Sequence, residues 1–267
     1  MKSIWVINQK GGTGKTSIAS VLADHFISTG SGYAIIDADC QPDSKASERS
    51  SLSAIFTSAE RIEISASPAA LVAKPTLSVS HWDQLFDRAC STCMLCDFGA
   101  NVASSLLFWI QESDIGERLE PAGIQLDIIV VTTAHPDSVS DALSIVKELR
   151  QLIPESIRRF FLVMNHSAGG FEAYASSPEL VYFADLVEAG ELAMIIVPRC
   201  GSEIWRDTER ARITPLAAAA MTSAELSARL GTPTLETARG RKALARWHAA
   251  VVQAFQDAGL VEHGEPQ

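Results

Sequence analysis

The chain has 267 residues, 47% of them hydrophobic, and a net charge of -10; that length and composition suit one α/β domain with a full core, while the charge excludes a generally basic coat for nucleic acid. No apolar run approaches the roughly 18 residues of a membrane span, and the amino terminus lacks the charged, apolar and small-residue succession of a secretory signal. A cytoplasmic setting is expected, and five cysteines in no even framework agree with a reducing compartment.

Residues 4–7 (IWVI) read as a short buried strand and residues 17–26 as an amphipathic helix. Between them lies QKGGTGKTS, from Gln9 to Ser17. Glycines in a strand-to-helix turn let the backbone approach phosphate oxygens, and successive N–H groups together with the positive helix end stabilise their charge. Gly11, Gly12, Thr13, Gly14, Lys15, Thr16 and Ser17 are therefore the candidate phosphate-binding residues. Lys15 is placed to reach the β- and γ-phosphates of a nucleotide, and the Thr16 hydroxyl to ligate magnesium. The usual loop, G-x-x-x-x-G-K-[ST], requires glycine where this chain has Gln9, and a second lysine, Lys10, follows.

KGGTGKT resembles the deviant Walker A loop of the ParA/MinD superfamily of ATPases. In that family the extra lysine reaches the nucleotide of a partner subunit, so the resemblance implies that Lys10 acts across a dimer interface. It also implies ATP and Mg2+ as cofactors, and a homodimer when ATP is bound.

The next strand, residues 33–36, runs into Asp37-Ala38-Asp39-Cys40-Gln41-Pro42. Carboxylates at the carboxyl end of a parallel strand face the ligand crevice, which directs Asp37 and Asp39 toward the phosphates. The family has D-x-D-x-Q here and the resemblance assigns Asp39 to the attacking water, leaving Asp37 on the metal side with Thr16. Residues 44–80 carry a weak signal, read as small helices and loops with a short strand at 62–64. A helix over residues 80–89, with Trp82, Leu85 and Phe86 at core spacing, leads to the apolar strand Met94-Leu95-Cys96 ending in Asp97-Phe98-Gly99. This is a Walker B arrangement, in which Asp97 holds a magnesium-bound water. The DFGAN continuation, where the family more often has D-[TS]-P, resembles the plasmid-stability and conjugative-transfer branch. Cys90, Cys93 and Cys96 form C-x-x-C-x-x-C, a spacing that suggests zinc or an iron–sulfur cluster. In a strand, however, residues three apart face opposite ways at about 10 Å, which favours small buried thiols.

Further strands are expected at residues 126–132, 160–164 and 193–197, with helices at 137–152 and 183–192. Alternation with long connections predicts a doubly wound, mostly parallel sheet with helices on both faces. Asn165 and Pro198 follow two of these strands; the resemblance assigns them to adenine, and both also suit ordinary strand-end turns. A last helix over residues 239–258 places Leu244, Trp247, Val251, Phe255 and Ala258 on one stripe and Arg239, Lys242 and Arg246 opposite. Arg206 and Arg210 share a face if residues 203–212 are helical. From Arg199 to Arg246 nine basic residues stand against five acidic ones, so basic character is concentrated there.

The expectation is one ParA-like ATPase domain over residues 1–267, without an amino-terminal helix-turn-helix domain. It implies an ATP-dependent dimerising switch that segregates or positions DNA, in plasmid partition or conjugative transfer, through slow hydrolysis. Non-specific DNA and a small ParB-like or other stimulating protein are the implied partners, with nucleoid association when ATP is bound. The alternatives are positioning of a non-DNA cargo and a metabolic ligase or reductase of the same fold. The reductases need cysteines bridging two subunits, for which Cys96 and Cys200 are the candidates. Membrane cycling of the MinD kind is disfavoured, because the chain ends in the acidic LVEHGEPQ where a basic amphipathic helix would be needed.

Overall fold

In a computed structural model describing residues 1–38, 52–64 and 77–262, the chain forms a seven-stranded sheet in which each paired strand runs parallel to its neighbour. In chain order the elements are β1 (Lys2–Ile7), α1 (Lys15–Thr29), β2 (Ala34–Ala38), α2 (Leu52–Ile55), β3 (Glu60–Arg61), α3 (Leu77–Ser91), β4 (Met94–Phe98), α4 (Ala103–Glu112) and α5 (Ile115–Leu119). There follow β5 (Gln125–Thr133), α6 (Pro136–Leu152), β6 (Ile157–Asn165), α7 (Pro178–Glu188), β7 (Leu192–Val197), α8 (Trp205–Arg210), α9 (Pro215–Ala220), α10 (Ser223–Leu230) and α11 (Thr234–Asp257).

The strand order is β3-β2-β4-β1-β5-β6-β7. The strands read as unbroken apolar runs because both faces are covered. One face packs Trp5, Ile7, Cys96, Phe98, Ile128 and Val130 against α3, α4, α6 and α7. The other packs Ile4, Val6, Leu95, Ile129, Val131 and Phe161 against α1 and α11. The chain leaves β1 toward β2 and β3, returns beside it as β4, then crosses to its other side as β5. That reversal opens a crevice at the carboxyl ends of the strands, where an open α/β sheet takes its ligands.

Several boundaries differ from the sequence expectation. The short strand falls at Glu60–Arg61, ahead of the expected 62–64; Ile62 and Ile64 are buried in the core beside it. The helix expected at 183–192 is Pro178–Glu188, started by Ser177, whose side chain accepts from Leu180 N, and by Pro178 at the first position. The helix after Pro198 is confined to Trp205–Arg210, and Arg212 takes a positive φ of 57° just beyond it. The last helix begins five residues early, at Thr234. Gly240 sits on that helix against Ile204, where a Cβ would come within 2.6 Å of Ile204 Cγ1. This close approach and the Ser202 Oγ to Gly240 O bond of 2.9 Å seat α11 on the 199–204 segment. Of the three spaced cysteines, Cys96 is fully buried in β4, while Cys90 and Cys93 are half-buried. Among the described residues no group of three or more His, Cys, Asp or Glu is gathered to hold a metal, and no helix is long and apolar enough to cross a membrane.

Candidate nucleotide site

β1 is followed by Asn8, a fully buried residue that anchors the glycine loop. Its amide donates to Val131 O at 2.8 Å and Ser138 O at 3.2 Å, and its Oδ1 accepts from Lys10 N at 3.2 Å. β1, β5 and the start of α6 are thereby tied to the entry of the loop. Gly14 makes the turn into α1 with φ 94° and ψ 20°. Its missing Cβ leaves room for the Asn165 amide, because a Cβ there would lie 2.4 Å from Asn165 Nδ2. That amide donates to Thr13 O at 2.8 Å, while Asn165 Oδ1 accepts from Ser167 N at 3.1 Å. The end of β6 therefore clamps the loop.

α1 has no side-chain cap and no acidic residue in its first turn. Its first N–H groups and dipole are left for an external anion. Lys15 is buried to 6% exposure and folds back across the loop, donating to Lys10 O at 3.0 Å. Lys10 points elsewhere. Its ammonium is at the exposed rim, 3.0 Å from Asp137 on the first turn of α6, and the bond to Lys10 holds the Asp137 carboxyl below the usual range.

The cleft holds about 370 Å³ and is lined by Gly11 to Ile18, Phe98 to Ala100, Asn165, Ser167, Pro198, Cys200, Trp205, Glu209 and Trp247. This volume is at the lower end of the range for ligand sites. All the phosphate-loop residues expected from sequence, with Asn165 and Pro198, border this one cavity; Lys10, Asp37 and Asp97 are not among its lining residues. The Asn165 amide itself is spent on the loop, and Pro198 O accepts from Trp247 Nε1 at 2.7 Å.

Asp37 and Asp97 are register partners on β2 and β4, and both are buried. Strand alternation puts them on the face of Ile35 and Leu95, the face covered by α1, and so on the same side as Thr16. Asp37 accepts from Ser53 N at 2.9 Å and from the Ser53 hydroxyl. One hydroxyl and two carboxylates suit magnesium, which takes few protein oxygens and completes its shell with phosphate and water. Asp39 lies outside the described residues. Past Asp97, Phe98 is locked against Trp5 and Trp82 at 5.5 and 5.9 Å. Asn101, at φ 65°, donates its N–H to Gln9 O at 3.0 Å, joining this loop to the phosphate loop.

Asn8, Ser53, Trp205, Glu209, Cys200 and Trp247 were not anticipated as part of the site or its support. Asn8 carried a signal, a polar residue closing an apolar strand just before the motif. The others reach the site by folding of distant segments. Burial raises the Glu209 carboxyl above its usual range, opposed by the hydrogen bond from Ser17 at 3.3 Å and by Arg206. Trp205 and Trp247, both lining the cleft, meet edge to face at 4.9 Å. Cys96, at the centre of the sheet, offers no thiol to a second subunit, and burial raises the Cys200 thiol.

No curated protein matches the chain by sequence. Among solved structures it is similar to the MinC:MinD cell division complex of Aquifex aeolicus, at 14% identity over 90% of this chain and 95% of that one with a TM-score of 0.47. It is also similar to a Cyanothece McdA–ATP complex (16%, 99% of each chain, 0.41) and to a plasmid partition protein of Borrelia burgdorferi (13%, 80% and 96%, 0.40). The CobQ/CobB/MinD/ParA nucleotide-binding domain matches residues 4–213, a span that includes the glycine loop, both buried aspartates and Asn165, and the chain belongs to that family.

Proposed function

We propose that the chain is a ParA-like ATPase whose ATP-bound homodimer segregates or positions DNA, with Mg2+ as cofactor and slow hydrolysis, stimulated by a partner protein, as its release step. The observation that carries this reading is the placement of Lys10. Its backbone belongs to the phosphate loop, yet its ammonium is outside the cleft at the exposed rim, where it can serve a nucleotide held by a second copy. Lys15, buried within the loop, serves the chain's own nucleotide. Asp39 orients the attacking water, and Thr16, Asp37 and Asp97 hold the metal or its water. Asn165 and Pro198 border the adenine, the first from the end of β6, where its amide holds the loop.

DNA contact is assigned to the exposed face of α11. Arg239, Lys242 and Arg246 are all exposed, opposite the buried stripe of Leu244, Trp247, Val251 and Phe255, and Arg206 and Arg210 are exposed on α8. Arg241 is excluded from this role, since its guanidinium donates to Ala219 O and Met221 O at 3.1 and 2.8 Å and closes the end of α9. A few phosphate contacts per subunit bind weakly at physiological salt; a dimer doubles them and gains avidity.

Light scattering with a non-hydrolysable ATP analogue tests the reading. Wild-type chain should dimerise and Lys10→Ala should remain monomeric while still binding nucleotide. An undiminished dimer in the variant would remove the argument from Lys10.

A further inference from the structure

A second cavity, of about 430 Å³, lies at the amino ends of the strands, across the sheet from the nucleotide cleft. It forms where the last turn of α6, the turn at Pro154, the start of β6, Tyr182 of α7 and Glu191 before β7 come together. Ile157 and Phe160 line it with apolar surface, but its polar walls are mainly cationic. Arg150 is held by the Tyr182 hydroxyl at 3.0 Å and by the Glu191 carboxylate. Arg158 clasps the fully buried Asp127 through Nε at 2.8 Å and Nη2 at 2.5 Å, and Lys2 pairs with the same carboxylate at 3.1 Å. The Lys147 ammonium rests over the Tyr182 ring, 4.8 Å from its centre. Arg159 borders the cavity too, but its guanidinium goes to Ala258 O on the opposite face of the sheet.

Lys147, Arg150 and Arg158 thus line the cavity beside one lining carboxylate, Glu191, in a chain of net charge -10; the Asp127 and Lys2 pair braces Arg158 from outside the lining. Local excess positive charge in a concave, partly apolar site attracts anions, because low-dielectric walls focus the field. Both guanidiniums are oriented beforehand by their partners, so little further ordering is needed to receive a ligand. Lys147, on a flexible stem above the ring, can turn to follow it.

We propose that this cavity binds a small anionic ligand bearing a phosphate or carboxylate group, independently of the nucleotide. The concavity and its size favour a small molecule over a macromolecular surface. The ligand's anionic group sits among Lys147, Arg150 and Arg158, and its apolar part lies on Ile157 and Phe160.

Thermal melting of the full chain tests this, with the nucleotide cleft saturated by ADP and magnesium so that the glycine loop cannot report. Inorganic phosphate and succinate are titrated separately at constant ionic strength. Wild type should show a saturable rise in Tm with at least one of them, and Lys147→Gln with Arg150→Gln should weaken the apparent affinity at least tenfold without altering ADP binding. Because Arg150→Gln strips Glu191 of its partner, Lys147→Gln alone serves as the milder variant and should weaken it several-fold. A response to phosphate but not succinate assigns a phosphate-bearing ligand, and the reverse assigns a carboxylate. A rise that does not saturate, or one equal in wild type and both variants, is a general salt effect and overturns the proposal.

Discussion

Replacing Gly14 by alanine should disable the phosphate loop through two separable costs. The backbone there has φ 94°, and a left-handed conformation costs a residue with a Cβ about 1–2 kcal/mol. The new methyl would also lie 2.4 Å from Asn165 Nδ2, so the amide must leave Thr13 O, its acceptor at 2.8 Å. Stripping a buried carbonyl of its partner costs about 1–3 kcal/mol. A total near 3 kcal/mol corresponds to a fall in Tm of roughly 6–12 °C for a chain of this size. Nucleotide affinity, followed with a fluorescent ADP analogue, should fall at least tenfold as the loop is displaced. Asn165→Ala alone incurs only the second cost, so the two changes share it. In a double-mutant cycle the pair should therefore cost about 1 kcal/mol or more less than the sum of the singles. Additivity within about 0.5 kcal/mol, or a Gly14→Ala chain with unchanged melting and affinity, would refute the coupling of glycine and amide.

Lys15→Ala should abolish nucleotide binding by calorimetry, since it removes the cation buried in the loop, whereas Asp39→Ala should bind ATP and turn it over slowly; wild-type turnover in the latter would reassign the water-orienting role. Reversing Arg239, Lys242 and Arg246 to glutamate should weaken ATP-dependent binding to two unrelated duplexes in gel shifts while basal ATPase persists. Binding by the wild type should fall steeply between roughly 50 and 200 mM salt, and a triple variant that still shifts DNA would point to another surface or a non-DNA cargo. Asp24, buried in α1 beside Thr214, is raised from 3.8 to about 6 by desolvation, against hydrogen bonds from Thr214 and Leu216. The carboxyl is neutral in both states below about pH 4, ionises first in the unfolded chain as pH rises, and so costs up to about 3 kcal/mol of stability by pH 6. Urea unfolding at pH 4 to 7 should show this loss in wild type and a flatter profile in Asp24→Asn; equal slopes would reject it.

The glycine loop, the two buried aspartates and the parallel sheet were legible in the sequence because each depends on local order. A Gly-rich turn between strand and helix is built from adjacent residues, an aspartate carried near the end of an apolar strand is buried along with it, and unbroken apolar runs mark strands covered on both faces. The stripe of α11 was legible for the same reason, its period following from 3.6 residues per turn. Tertiary structure decided what depends on distant segments meeting. Nothing near Asn165 announces that its amide clamps Thr13 O, 152 positions away. Nor does the sequence around Trp205 and Glu209 place them in the lining of the nucleotide cleft. Arg241 and Lys242 are neighbours of the same charge, yet one closes α9 and the other is exposed. Which of them meets solvent follows from the rotation of α11 against α9, and no property of the residues themselves records it.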